Sequence, residues 1–493
     1  MFIKNKIDKY PKIKIFIVST ILLYLILLIP LADSTEIIEG KKRPFIWNQD
    51  KFWEKLEADF NAGRNVSCDK VKLKIDSMLI ESKKILDDIS ISSLSPTDEK
   101  FRILENNIFN VATYIPTCSE YLSKYINFYS EVRKIIKEKS RNWDMNSIEA
   151  RNTIYRLLYG NRTAIEEVML QLPQKQVPQL ILGYDEPSSS PSAIILGVTI
   201  HSGDILISRG GAPTSALIAR GNDYPGNFSH VALIHIDDKT NLTSIIESHI
   251  ERGVTVSSLN EYLNDTKLRI MVMRLRSDLI KNDPMIPHKA SAFVLSEAKR
   301  KHIPYDFEMN YSDPNKLFCS EVASYAYMKF GVRLWSGLST ISSKGTRMWL
   351  SSFGVKNFET QEPSDLEYDP QLSVVAEWRD PETLYKDHLD NAVTDVMLEE
   401  ADSGKQLSYD WYKLPLGRIL KLYSTVLNYF GSEGPIPEGM NAEAALKNVE
   451  YSGKHENIKE RLVVLADTFK AQNGYRPPYW ELVYLARQAR DEI

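Results

Sequence analysis

The chain has 493 residues, enough for two to four domains that each bury a core, and its composition is ordinary for a globular protein, 43% hydrophobic and 26% charged. A formal net charge of only −4 supplies no basic stripe for a phosphate backbone, so nucleic acid is excluded as the expected partner. Any partner has to be recognised by a local site.

In chain order, Lys4, Lys6, Lys9, Lys12 and Lys14 precede an apolar run from Ile15 to Ala32. A basic stretch followed by an apolar one reads as an export signal, and this run is also barely long enough to span a bilayer. Residues 1–34 are therefore expected to be a cleaved signal peptide or an uncleaved membrane anchor. Either way the rest of the chain is exported: periplasmic or otherwise extracytoplasmic, or anchored at the inner membrane. Residues 35–183 carry apolar positions at three- and four-residue spacing, as in "KVKLKIDSMLIESKKILDDI", and predict a helical domain. Within it Cys68 and Cys118 are either a disulfide of an oxidising compartment or two unrelated buried thiols. Residues 184–193 include "DEPSSSPSA" and read as a linker.

The period then changes. "AIILGVTI", "GDILISR", "HVALIHID", "TSIIESHI" and "LRIMVMRLR" are short and β-branched, the marks of strands, while "PHKASAFVLSEAKRKH" and "CSEVASYAYMKFG" are helical. Residues 194–382 are thus expected to be an α+β domain on an antiparallel sheet, and 383–493 a second helical region. The Pro- and Gly-rich "RGGAPTSALIARGNDYPGN" (209–227) reads as a loop over a site.

Three polar elements of this domain suit a thiol hydrolase: His230 opening a strand, Glu247 on the next strand, and Cys319 at the start of a helix. A thiol nucleophile needs a base within hydrogen-bond reach, and that base needs a third group to fix its tautomer. A helix N-terminus also favours the thiolate. Cys319 is alternatively a small buried hydrophobe. His249 falls on the same strand face as Glu247, so His230, Glu247, His249 and Cys319 also make a donor set that zinc accepts.

The order "GDILISRGG", "FSHVALI", "IIESHIERGV", "IPYDF" and "FCSEVASYAY" resembles the circularly permuted branch of the NlpC/P60 (papain-like) superfamily, the YiiX/YebB-like, YaeF-type cysteine hydrolases. The matching motifs are Gly203-Asp204, Ser229-His230, Glu247, Tyr305-Asp306 and Cys319-Ser320-Glu321, over about 200–345. The resemblance implies a permuted papain-like fold flanked by N- and C-terminal helical regions. It implies Cys319 as nucleophile, His230 as base and Glu247 as orienter, with His249, Tyr305 and Ser215 as possible third member or support. The implied substrate is an amide or ester in a peptide, in peptidoglycan or in a lipid, with no cofactor. An acyltransferase using the same Cys-His pair, and a non-catalytic or metal-binding module in the same cleft, are the alternatives.

Overall fold

The computed structural model describes residues 11–30, 44–46, 51–311 and 313–493. The expected signal or anchor, 1–34, is therefore described only over 11–30, where α1 runs Pro11–Leu27. Among the described residues no helix is long and apolar enough to cross a membrane.

Five helices follow: α2 (Lys51–Gly63), α3 (Cys68–Ile91), α4 (Glu99–Ala112), α5 (Leu122–Lys139) and α6 (Ile148–Leu170). Asp98 and Ser147 cap α4 and α6 by accepting from backbone N–H groups of their first turns. Cys68 and Cys118 form a disulfide with Cα atoms 4.9 Å apart, closing a 50-residue separation between α3 and the turn before α5.

The sheet has seven strands, antiparallel throughout, in the order β1 (Leu180–Leu182), β11 (Leu372–Trp378), β8 (Lys267–Leu275), β4 (Ile205–Gly210), β5 (His230–Ile236), β6 (Thr243–His249) and β7 (Gly253–Ser258). Residues 180–182, counted with the helices in the sequence, thus form its edge strand. "AIILGVTI" is not one strand: Leu196 and Gly197 both take positive φ, 48° and 82°. That two-residue turn folds the segment into the hairpin β2 (Ser192–Ile195) and β3 (Val198–His201).

Alternation divides the sheet between two cores. Ile205, Ile207, Val231, Leu233 and Met273 face one core, shared with α9 (Ile286–Arg300), α10 (Glu321–Met328) and the N-terminal helices. Leu206, Ala232, Ile234 and Val272 face the other, under the β2–β3 hairpin and Tyr262 of α8 (Leu259–Asn264). A third core joins α13 (Pro381–Asp402), α15 (Ala442–Asn473) and α16 (Tyr479–Asp491), with α7 (Pro213–Arg220) and α11 (Lys344–Phe353) against them. The segment 209–227, expected to be a loop, therefore contains a helix, pinned where buried Arg220 pairs with Asp395 at 2.8 Å.

Buried charges stitch these layers together. Arg162 of α6 grips Glu367 of α12 (Asp365–Tyr368) at 2.6 and 2.9 Å. Arg269 of β8 lies 2.5 Å from both Glu166 of α6 and Asp387 of α13, and Arg209 of β4 reaches the same Asp387 at 3.1 Å. None of these side chains is more than 2% exposed, so removing one partner strands its mate without water, at a cost of about 3–5 kcal/mol.

Candidate active site

The Gly203-Asp204 pair is structural. Asp204 is buried and takes Arg274 of β8 through two bonds of 2.8 and 2.9 Å. Gly203 sits at φ 95°, where a Cβ would come 2.4 Å from the Pro287 side chain of α9. Its carbonyl accepts the Tyr327 hydroxyl of α10 at 2.6 Å. The motif thus seats the helix that follows Cys319 onto the strand leading towards His230.

His230 opens β5, and the register Ala232↔Glu247 places Glu247 diagonally across from it on one face. His230 Nε2 donates to Glu247 Oε2 at 2.8 Å, so a neutral ring keeps its proton on Nε2 and leaves Nδ1 as the free lone pair. Glu247 Oε1 accepts from Ser257 Oγ at 3.0 Å and lies 3.2 Å from His249 Nε2. Although burial works against its charge, these partners hold the Glu247 carboxyl well below the usual carboxylate range. Burial pulls the His230 pKa down despite Glu247, which favours the neutral ring that a base requires.

Cys319 lies just before α10, whose N-cap is Ser320. Its thiol is buried and donates to the Ser229 carbonyl at 3.7 Å, one residue before His230. The helix start does not yield a resting thiolate. Burial and then the neighbouring Glu362 carboxylate push the thiol up to about 12, against the backbone N–H groups of Val231, Ser320 and Cys319 itself.

Glu362 was not legible in the sequence. It is buried, and desolvation together with Asp365 pushes its carboxyl up to about 8. Gln361 beside it accepts Ser320 Oγ on its carbonyl at 2.5 Å and Ser324 Oγ on its side chain at 2.6 Å, fixing this segment along α10. No spacing rule links positions 43 residues apart, and only the neighbouring acid Asp365 hinted at a shifted carboxyl.

The remaining expected residues divide. Half-buried Tyr305 faces the site: burial and then Cys319 and Glu362 raise its hydroxyl pKa. Asp306 is a turn residue, accepting from the N–H of Glu308 at 3.0 Å and of Asn310 at 2.6 Å. Glu321 closes the helix start by accepting from Phe318 N–H at 3.0 Å. Ser215, on α7, lies against Gly210, where a Cβ would come 2.8 Å from its hydroxyl, and it reaches the thiol through no hydrogen bond. Of the zinc donor set, His230, Glu247 and His249 bring ligand atoms within 4.8 Å of one another, and Cys319 is outside that group. A cavity of about 260 Å³ lies elsewhere, between α5 and the start of β11, lined by Ser130, Arg133, Lys137 and Arg276 among others.

No curated protein matches the chain. Residues 199–376 match the family described as "Permuted papain-like amidase enzyme, YaeF/YiiX, C92 family". The match spans β3 to β11 and takes in His230, Glu247, Cys319 and Glu362. This part of the chain is therefore a permuted papain-like domain of the YaeF/YiiX family.

Proposed function

We propose that the chain is an exported or membrane-anchored cysteine hydrolase that cleaves an amide bond in a peptide, cell-wall peptide or lipid-linked substrate. The observation that carries this reading is the His230 imidazole, fixed through Nε2 by an ionised Glu247, with the Cys319 thiol against the Ser229 carbonyl one residue away.

Both partners rest neutral, so the proton moves when substrate arrives. His230 Nδ1 takes the thiol proton as Cys319 Sγ bonds to the carbonyl carbon, and Glu247 stabilises the imidazolium formed. The N–H of Cys319 is the natural donor to the resulting oxyanion. Collapse breaks the C–N bond, and the amine leaves with the proton from His230. Water then adds to the thioester through the same base, releasing the acid and restoring the thiol. The chemistry uses no cofactor. The basic N-terminus and α1 would deliver the domain beyond the cytoplasm.

The test is hydrolysis of a panel of amides and esters by the full chain, Cys319→Ala and His230→Ala. Loss of roughly 10³-fold or more in both variants, with an acyl adduct on Cys319 in the wild type, is expected. Activity that survives Cys319→Ala would end this reading.

The three converging donors favour one rival, a zinc-binding site. Near-stoichiometric zinc after dialysis, with function lost to chelators, would establish it. A metal-free protein with full activity would dispose of it.

A further inference from the structure

Helix α14 (Leu414–Tyr429) is built inside out. The row facing the protein, at three- and four-residue spacing, reads Leu414, Gly417, Lys421, Ser424 and Asn428. Gly417 lies flat on Ala442 of α15, where a Cβ would be 3.5 Å from the alanine Cβ. Lys421 Nζ donates to the carbonyls of Pro437 and Glu438 at 2.8 and 2.6 Å. Ser424 Oγ accepts from Ile436 N–H at 3.0 Å, and Asn428 Oδ1 accepts from Gly434 N–H at 3.2 Å.

The opposite side carries Leu416, Ile419, Leu422, Tyr423, Val426 and Tyr429, with Leu422 68% and Tyr429 85% exposed. Phe430 continues the patch at 75%, and Trp411 stands on the preceding turn at 66%. A helix in water buries its apolar stripe and exposes its polar one. Reversal of that order calls for an outside medium that is itself apolar, and so large an apolar patch marks a contact surface.

The neighbouring helix says what that medium is. Ile15–Val18 and Ile21–Ile26 of α1 are large apolar residues exposed all round the helix, a pattern that fits lipid rather than one protein groove. The two helices are joined: Arg418 of α14 donates to the carbonyls of Leu27 at 2.9 Å and Ile29 at 2.5 Å, closing the C-terminal end of α1, and Tyr24 Oη donates to the Tyr412 carbonyl at 3.1 Å. Trp411, Tyr412, Tyr423 and Tyr429 are the residue types that settle at headgroup depth.

We propose that α14 is an interfacial helix whose Leu416–Phe430 face lies in the acyl boundary of a lipid bilayer beside α1, so that the domain is held flat against the membrane at two points. This deepens the membrane-anchored reading above and rests on it.

The experiment uses the full chain with Cys319→Ser, reconstituted with vesicles of phosphatidylcholine and phosphatidylglycerol. A polarity-sensitive nitrobenzoxadiazole dye is placed singly at Leu422→Cys, at Ile21→Cys in α1, and at Leu242→Cys on the exposed turn between β5 and β6. Melting curves matching the parent confirm that each variant is folded. Blue shift and a several-fold rise in emission at positions 422 and 21, with none at 242, is the expected result. A response at 21 alone would overturn the inference and leave the anchor standing, and no response at either would remove both. A response at 422 that needs no vesicles and grows with protein concentration would make the face a contact between copies of the chain, and would also overturn it.

Discussion

The two halves of the candidate site hold charge in opposite ways. On the strand side, Glu247 collects His230, His249 and Ser257 around one carboxylate and stays ionised. On the helix side, Cys319, Glu321 and Glu362 are buried with few cationic partners, and all three are driven towards their neutral forms. The difference teaches that helix-start geometry alone does not make a thiolate: desolvation decides the resting state, and the strand side supplies the charge only when a proton crosses.

The comparison breaks most sharply at Glu247. Glu247→Gln keeps the shape but removes the charge that holds the imidazole tautomer and its charged form, and should lower kcat by about 10²–10⁴-fold with a near-parental melting temperature. His249→Ala leaves the His230–Glu247 bond in place and should cost about tenfold or less. Equal losses in steady-state kinetics would mean that the two histidines share the role.

A smaller effect sharpens the helix side. Iodoacetamide labelling of Cys319 in the wild type should stay slow through neutral pH and rise only in the alkaline range, because burial pushes the thiol up to about 12. Glu362→Gln removes a charge that opposes the thiolate, so labelling should quicken above about pH 8, where Glu362 ionises, and change little at pH 6. Fast labelling of the wild type near pH 6 would contradict a neutral resting thiol.

The smallest effect is on stability. The folded pKa values of Glu321 and Glu362, about 9 and about 8, lie above the ordinary 4.5, so the folded state binds their protons more tightly than the unfolded one. Their contribution is complete below pH 4.5 and is lost as pH rises through 8 and 9. The melting temperature should therefore fall across that window, and Glu321→Gln with Glu362→Gln should flatten the slope. An unchanged slope would show that other groups set it.

His230 and Cys319 were legible because each sits at an element boundary that periodicity marks, Glu247 because it falls within the next strand, and all three because their order along the chain is a motif. Glu362 was illegible because it meets Cys319 only through tertiary packing. The β2–β3 hairpin was missed because "AIILGVTI" is continuous in hydrophobicity, and only the positive φ at Leu196 and Gly197 breaks it. Arg162, Arg209 and Arg269 read in sequence like solvated charges, and nothing in their spacing announces that they are buried. The inside-out order of α14 was legible in principle, since its apolar and small-polar rows are both periodic. Which row faces the protein is decided by α15 and the 434–438 turn.

The buried charges also limit how this protein can be cut. The family match begins at residue 199 and ends at 376, inside β11 and one position short of Glu377, whose carboxylate takes Arg133 from α5 and Arg379 from beyond the match. Excising the matched stretch would leave Arg209 and Arg269 on bare sheet without Glu166 or Asp387. The helical flanks are therefore structural parts of the domain rather than passengers, and neither a minimal fragment nor a graft of the family segment onto another scaffold retains the counter-charges on which the sheet depends.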